Sequence, residues 1–293
     1  MLSWVAPLFI PAHVARMRQK APELGTAIIL DLEDSVPAAD KQAAREGAVE
    51  LVDRMPGGCT VRINPLTVVR GFGTAAGHED LAAVVRPGLG GLAAPKVDSR
   101  EALLAVDDAI RRAEASGGVD ENSVELGVII ETALGVTNLV EIARTGLARP
   151  MRLSFGLGDF TTDLGIEWTR DEAECDVARA MIPIVSRAAG LGRPRDSVWT
   201  DVTDEDGLRA STLRGKRLGY AGKAAIHPRQ IRVIQDVYRP SQAELDWARR
   251  VVETAAARMA EGQGAFLLDG RMIDDPIVAR AREVLASAPA LDA

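Results

Sequence analysis

Residues 125–159 have the sequence ELGVIIETALGVTNLVEIARTGLARPMRLSFGLGD. Short runs of apolar residues stand at both ends, in ELGVIIE (125–131) and RLSFGLGD (152–159), with a longer stretch between them. Such runs are typical of parallel strands that are buried on both faces. The segment therefore predicts a strand–helix–strand unit in which each strand ends on a carboxylate.

The same alternation extends in both directions along the chain. Six further runs have the same character: APLFIPA (6–12), TAIILDLED (26–34), TVRINP (60–65), GLAAPK (91–96), SVWTDV (197–202) and GKAAIHP (222–228). Helical stretches separate them, and Ser99 is placed to cap one of these helices. Eight strand–helix units predict a (β/α)8 barrel, the TIM barrel fold, since an open doubly wound sheet usually has fewer strands and a glycine-rich fingerprint.

The pattern changes beyond residue 240. We expect a catalytic barrel domain over residues 1–240 and a C-terminal helical extension over 241–293. The extension is predicted to contain a helix over 242–260, a short GQGAFLLDGRMID segment (262–274) and a last helix over 276–286. We expect it to cap the barrel or to pack on a neighbouring subunit.

Composition excludes several classes of function. The chain has 293 residues and a formal net charge of −7, which disfavours nucleic acid and anionic membranes as partners. Two cysteines, Cys59 and Cys175, are too few for a disulfide framework. The opening MLSWVAPLFIPA has no secretory signature, and no apolar run is long enough to span a bilayer, so we expect a cytoplasmic protein.

Polar residues follow each predicted strand, where a barrel enzyme carries its catalytic groups. They are His13, Asp31 with Glu33 and Asp34, Arg62 with Asn64, Lys96, Glu131, Asp159, Asp201 and His227. Glu131 follows the apolar run LGVII, where a carboxylate is costly to bury unless it is paired or binds a cation. With Asp159 it predicts a site for one Mg²⁺ ion, and Mn²⁺ is also permitted. The alternative is that both carboxylates form salt bridges with Arg62 or Lys96.

Two other strand-end residues suggest chemistry of their own. Lys96 could form a Schiff base with a carbonyl substrate, but this requires a lowered pKa, and nearby carboxylates favour the protonated lysine. His227 precedes Pro228, and a histidine in this position is more often a structural hydrogen-bond partner.

At these residues the sequence resembles the citrate lyase β-subunit-like family, within the barrel aldolases that cleave or condense acyl-CoA esters. The motifs that carry the resemblance run nearly end to end: LFIPA (8–12), ILDLEDSVPAADKQAAR (29–45), VRIN (61–64), PKVDS (95–99), IIETALGV (129–136), GLGDF (156–160), GYAGKAAIHPRQI (219–231) and LLDGRMIDDPIVARAREVL (267–285). Their order and spacing make the resemblance specific.

The resemblance implies roles for individual residues. It implies that Glu131 and Asp159 bind the metal and substrate, and that Arg62 contacts substrate oxygens as a catalytic residue. Glu33 and Asp34 would order the metal's waters and the neighbouring side chains.

The resemblance also assigns a role to the C-terminal extension. Asp274 would act as acid or base and would enter the site from an adjacent subunit. This implies a homotrimer or homohexamer, and an acyl-carrier subunit as a possible further partner.

The sequence departs from the family pattern in three places, one of which covers two residues. Gly158 stands where a glutamate often precedes the metal-binding aspartate, Val5 and Ala6 stand where an arginine is common, and His13 replaces a small or amide residue. These departures leave the predicted metal pair intact and leave the substrate open.

The expected reaction is reversible cleavage of a 3-hydroxyacyl-CoA, such as citryl-, malyl- or citramalyl-CoA. Its products are acetyl-CoA, or a homologue, and a 2-oxo acid. A thioester hydrolase on the same scaffold is one alternative. A non-catalytic subunit or ligand sensor is the other.

Overall fold

The computed structural model describes residues 3–66, 75–260 and 263–287. The chain forms two compact units, Met1–Gln235 and Asp236–Ala293. Among the described residues, no helix is long and apolar enough to cross a membrane.

The first unit contains a sheet of eight parallel strands whose spatial order follows the sequence. The strands are β1 (Ser3–Pro11), β2 (Thr26–Asp31), β3 (Cys59–Arg62), β4 (Gly91–Ala94), β5 (Glu125–Ile130), β6 (Met151–Phe155), β7 (Arg195–Asp196) and β8 (Gly222–Lys223). The Phe9 N–H donates to the Ala225 carbonyl at 2.8 Å, and the Ala225 N–H donates to the Pro7 carbonyl at 2.8 Å. These bonds close β1 onto the chain that follows β8, so the predicted barrel is confirmed.

Helices alternate with the strands and cover the outside of the barrel. They are α1 (Ala15–Lys20), α2 (Lys41–Arg54), α3 (Ala75–Val84), α4 (Arg100–Gly117), α5 (Ala133–Thr137), α6 (Leu139–Ala143), α7 (Leu157–Leu164), α8 (Asp176–Ala188), α9 (Glu205–Leu218) and α10 (Pro228–Tyr238). The predicted cap of α4 is present, because the Ala102 N–H donates to Ser99 Oγ at 3.1 Å.

Strand β5 shows how the sequence divides the barrel interior from its exterior. Leu126, Val128 and Ile130 are fully buried on one face of the strand. The alternate residues Glu125, Gly127, Ile129 and, just beyond the strand, Glu131 line a cavity inside the barrel. Side chains alternate between the two faces of a strand, so β5 carries a carboxylate at each end of its inward row.

Two strand predictions near the site are wrong in their bounds. Strand β6 ends at Phe155, and Asp159 lies in the first turn of α7, because the chain turns into a helix at Gly156. The seventh strand is β7 and not 197–202, since its two residues are charged and no apolar run marks them. Asp201 is consequently exposed, and its carboxylate accepts the Thr203 N–H at 2.8 Å in a local turn.

The second unit has its own small core. It contains α11 (Gln242–Ala260), the antiparallel strands β9 (Phe266–Leu268) and β10 (Arg271–Ile273), and α12 (Asp275–Ala286). Buried apolar residues from three of these elements pack together: Ala248, Val251, Ala255, Ile273, Val278 and Ala281. The predicted packing of this unit on a neighbouring subunit stays a prediction.

Candidate active site

Arg62 is held at the end of β3 by the end of β2. Asp31 and Arg62 are partners in the parallel register of these strands. The Arg62 Nε and Nη2 groups donate to Asp31 Oδ1 and Oδ2, both at 2.7 Å. The guanidinium also lies 5.2 Å from the centroid of the Phe9 ring. Burial alone would lower the Arg62 pKa, but the bonds from Asp31 outweigh it and raise the pKa, so the guanidinium is a permanent cation.

The acidic loop after β2 places Glu33 and Asp34 differently. The Glu33 side chain is buried, whereas that of Asp34 is 59% exposed. Burial raises the pKa of Glu33 to about 7, even though the nearby cations Arg62 and Lys96 act to lower it. Lys41 fixes the backbone of this loop, because its Nζ donates to the carbonyls of Leu32 and Glu33 at 2.5 and 2.7 Å.

Lys96 contacts the buried carboxylates of Glu33 and Glu131 and lies near Asp159. Its φ of 55° lies in the left-handed region, which is uncommon for a residue other than glycine. In this conformation the backbone N–H donates to Glu131 Oε1 at 2.8 Å, and Nζ donates to Glu33 Oε1 at 2.6 Å. The same Nζ lies 3.6 Å from Asp159 Oδ1.

The charge state of Lys96 bears on the Schiff-base alternative. Burial acts to lower the Lys96 pKa, but Glu33 and Glu131 outweigh it, and the net shift is upward. A lysine that stays protonated is a poor nucleophile, so the Schiff-base alternative is disfavoured.

Glu131 is the most confined carboxylate of the site. It is 2% exposed, and burial, followed by the nearby charges of Glu33 and Asp159, raises its pKa well above the usual value. The chain approaches it so closely that a Cβ on Gly156 would lie 2.3 Å from Glu131 Oε2. That oxygen accepts no hydrogen bond from the residues described. A buried carboxylate that lies near other negative charges, and that has one oxygen without a hydrogen bond from the described residues, is suited to bind a cation.

The residues fit a small hard cation of the Mg²⁺ type. Glu131 and Asp159 both line the cavity inside the barrel, and the Asp159 side chain is 37% exposed. Among the described residues no group of three or more His, Cys, Asp or Glu side chains is arranged to bind a metal. Two carboxylates nevertheless suffice for Mg²⁺, which usually keeps several waters and takes further ligands from the substrate.

The cavity has a volume of about 170 Å³ and reaches from these residues into the barrel. Arg62, Glu131 and Asp159 all line it, so the structure brings these three predicted site residues together. Glu33 and Asp34 contact the cavity residue Arg62. Glu33 Oε2 lies 3.0 Å from Arg62 Nη1, and Asp34 Oδ2 lies 3.7 Å from the same atom.

Asp274 lies in the second unit, immediately before α12. The Ile277 N–H donates to Asp274 Oδ1 at 3.4 Å, so the side chain acts as the helix N-cap. Its predicted acid–base role stays a prediction.

The sequence marked Asp31 and Lys96 as strand-end residues, but it did not predict the contacts that they and Gly156 make in the site. Asp31 fixes Arg62, Lys96 bridges Glu33 and Glu131, and Gly156 makes room for Glu131. The signal for Asp31 was present, since it ends the strand next to that of Arg62. Nothing in the local sequence marks the left-handed conformation of Lys96.

The model of the HpcH/HpaI aldolase/citrate lyase family matches residues 6–228, which include every barrel residue of this site. The chain belongs to this family. The predicted resemblance is thereby confirmed, and the chain is an enzyme of a lyase family.

Known family members resemble the chain over nearly its whole length. Citrate lyase subunit beta of Escherichia coli (strain K12) is 35% identical over 282 residues, which cover 96% of this chain and 92% of that protein. A (3S)-malyl-CoA thioesterase of Cereibacter sphaeroides is 32% identical, covering 98% of this chain and 95% of that protein. The crystal structure of protein CitE from Mycobacterium tuberculosis with magnesium, acetoacetate and coenzyme A matches with a TM-score of 0.77 and 29% identity, covering 96% of each chain.

Proposed function

We propose that this enzyme is a Mg²⁺-dependent carbon–carbon lyase that reversibly cleaves a 3-hydroxyacyl-CoA into acetyl-CoA, or a homologue, and a 2-oxo acid. The observation that carries the proposal is the crowding of Glu131 by like charges beside a rigidly held Arg62. Similar proteins that are named for citrate and malyl-CoA support substrates of the citryl-, malyl- or citramalyl-CoA type.

Glu131 and Asp159 are the residues that would hold the metal. When bound there, Mg²⁺, or Mn²⁺ in its place, supplies Lewis acidity to the carboxylate and hydroxyl oxygens of the substrate. The buried position of Glu131 and the close approach of Gly156 fix one ligand, while the more exposed Asp159 leaves the cavity side open to substrate.

Arg62 would bind the oxygens of the substrate. A guanidinium has five N–H groups. Two N–H groups of Arg62 donate to Asp31, both at 2.7 Å, and Nη1 lies 3.0 Å from Glu33 Oε2 without a hydrogen bond between them. The N–H groups that do not face Asp31 would bind an enolate or carboxylate oxygen, and their direction is fixed before the substrate arrives.

Cleavage breaks the bond between the α-carbon of the thioester and the carbinol carbon. The carbinol hydroxyl gives its proton to water and becomes the carbonyl of the 2-oxo acid, and the electron pair of the broken bond moves into the thioester enolate. We propose that Asp274 of an adjacent subunit donates the proton that the enolate carbon then takes up, and removes it in the condensation direction. The active species would then be a homotrimer or homohexamer.

The test is an assay with malyl-, citramalyl- and citryl-CoA, with and without EDTA. Cleavage to acetyl-CoA and a 2-oxo acid that stops after metal removal is expected, and full activity without metal would contradict the metal-dependent mechanism. Free CoA with an intact hydroxy acid would instead indicate a thioester hydrolase, the alternative that the likeness to the malyl-CoA thioesterase favours. Repeating the assay with acyl-carrier thioesters distinguishes a carrier subunit from CoA.

A further inference from the structure

Charged residues also line the barrel cavity away from Glu131 and Asp159, toward the amino-terminal ends of the strands. Glu125 opens β5, Arg195 opens β7, and Arg152 is the second residue of β6. All three line the same cavity as Glu131. Glu131 follows Glu125 by six residues in the direction of β5. At about 3.3 Å per residue, the backbone positions of these two glutamates are roughly 20 Å apart.

The orientation of Arg195 follows from that of Asp196, the next residue of β7. Asp196 is fully buried on the other side of β7, where Arg179 Nη2 and Lys223 Nζ lie 2.5 and 3.2 Å from Asp196 Oδ2. Consecutive residues of a strand point to opposite faces. The Arg195 side chain is therefore directed into the barrel, and its guanidinium lies 4.6 Å from the centroid of the Trp4 ring.

At this end of the cavity there are two guanidinium groups, of Arg152 and Arg195, and one carboxylate, of Glu125. Arg152 has partners, since its Nε donates to Glu125 Oε1 at 3.0 Å and its Nη1 to the Arg193 carbonyl at 2.8 Å. Arg195 makes no hydrogen bond or ion pair with any described residue. The N–H groups of Arg195 therefore have no hydrogen-bond acceptor among the residues that the structure describes.

The walls beside Arg195 leave room for a ligand. The inward positions of the strands around it carry small side chains: Gly91, Ala93, Gly127, Ser154 and Ala224. A barrel interior is normally filled by bulky branched residues, so these positions account for the open space. Burial, followed by the like charge of Arg152, lowers the pKa of Arg195 to about 10, although Glu125 acts to raise it. A bound anion would favour the charged guanidinium and so oppose this shift.

We propose that the amino-terminal end of the barrel cavity binds a small monovalent anion, a halide or a small carboxylate, on the guanidinium of Arg195 with Arg152 beside it. A planar guanidinium stacked on an aromatic ring presents its N–H groups edge-on, which suits such an anion. The site lies in the same cavity as Glu131 and Asp159, but the proposal does not depend on the proposed reaction.

The test compares thermal unfolding of the full chain in rising chloride and in rising formate. For the native protein we expect a saturable rise in melting temperature with at least one of the two, because a ligand that binds the folded state stabilises it. In Arg195→Gln this saturable part should disappear, with at least a tenfold loss of apparent affinity. The matched control is Arg111→Gln, which removes an exposed arginine of α4 and should keep the native response.

A crystal of the native protein soaked in bromide gives a second readout that needs no variant. An anomalous peak within contact distance of the Arg195 guanidinium is expected. No peak there, or an anion response that is unchanged in Arg195→Gln, overturns the proposal. If Arg195→Gln does not fold, the bromide soak alone decides.

Discussion

The guanidinium of Arg62 and the carboxylate of Asp31 meet through two parallel hydrogen bonds of 2.7 Å at the ends of adjacent strands. The two side chains are 14% and 2% exposed. Bidentate pairs of this kind fix the plane of the guanidinium as well as its position. The direction of the remaining N–H groups of Arg62 is therefore set by Asp31.

Asp31→Asn should impair both stability and activity. The substitution places an NH₂ group against the guanidinium and leaves a buried cation without its partner, so we expect a loss of about 3 kcal/mol in unfolding free energy. The value of kcat/KM should fall by about 100-fold as Arg62 loses its orientation. Asp34→Asn is the control, because its exposed carboxylate lies 3.7 Å from Arg62 and should change stability by less than about 1 kcal/mol. Denaturant titration and steady-state kinetics measure both. Equal effects of the two variants would contradict the assigned role of Asp31.

Gly156→Ala should weaken Mg²⁺ binding, whereas Gly158→Ala should not. A Cβ at Gly156 would lie 2.3 Å from Glu131 Oε2 and 2.6 Å from Glu131 Cβ, so it must displace the carboxylate. A Cβ at Gly158 would meet the Trp168 ring at 3.4 Å, an ordinary contact. We expect at least about a tenfold loss of affinity in the first variant and less than about twofold in the second, by calorimetric titration. Native affinity in Gly156→Ala would show that Glu131 is not a ligand.

Lys96→Met should not weaken Mg²⁺ binding although it removes a residue at the centre of the site. The Nζ cation lies 3.6 Å from Asp159 Oδ1 and repels a metal ion there. Methionine keeps the β-carbon and the backbone N–H that donates to Glu131, so only the charge is lost. We expect affinity that is equal or up to about tenfold tighter, together with lower activity because Glu33 loses its partner at 2.6 Å. A tenfold weaker affinity by titration would contradict this account.

Mg²⁺ affinity should rise with pH. Burial, and then the charges of Glu33 and Asp159, raise the pKa of Glu131, so the metal-free site holds a proton at pH values where an ordinary carboxyl has lost it. Binding of the metal must release that proton, and below the raised pKa the affinity should fall by up to about tenfold per pH unit. Titration calorimetry in buffers of different ionisation enthalpy counts the released protons. An affinity independent of pH between about pH 5 and pH 8 would show that Glu131 is ionised without the metal.

The sequence predicted the parts of the site that depend on local pattern. The alternation in ELGVIIE identified β5 and placed Glu131 after it, since an apolar run that ends on a carboxylate is visible in the residues themselves. Strand β7 was misplaced because its two residues are charged, and because the partners of Asp196, Arg179 and Lys223, are distant in the chain. The bridging position of Lys96 depends on a left-handed backbone, and contacts across the barrel that no local pattern records stabilise it.

Asp274→Asn separates chemistry from folding in the C-terminal unit. Asparagine caps a helix about as well as aspartate does, so α12 should keep its stability, whereas Asp274→Ala should lose about 1 kcal/mol. Both variants should lose at least about 100-fold in kcat if the carboxyl transfers the proton. Native turnover in Asp274→Asn would leave only the capping role.

Mixing of subunits tests where that carboxyl acts. Asp274→Asn and Glu131→Gln are each expected to be inactive, and each leaves the other residue intact. If Asp274 serves the site of its own chain, no site in a mixed oligomer has both residues. If it serves a neighbour's site, half of the sites keep Glu131 and half of those receive an intact Asp274. Co-refolded equimolar subunits should then recover roughly a quarter of native activity, because assembly from equivalent interfaces mixes the two chains at random. Activity that stays at the level of the separate variants would place Asp274 in its own subunit's site or outside the reaction.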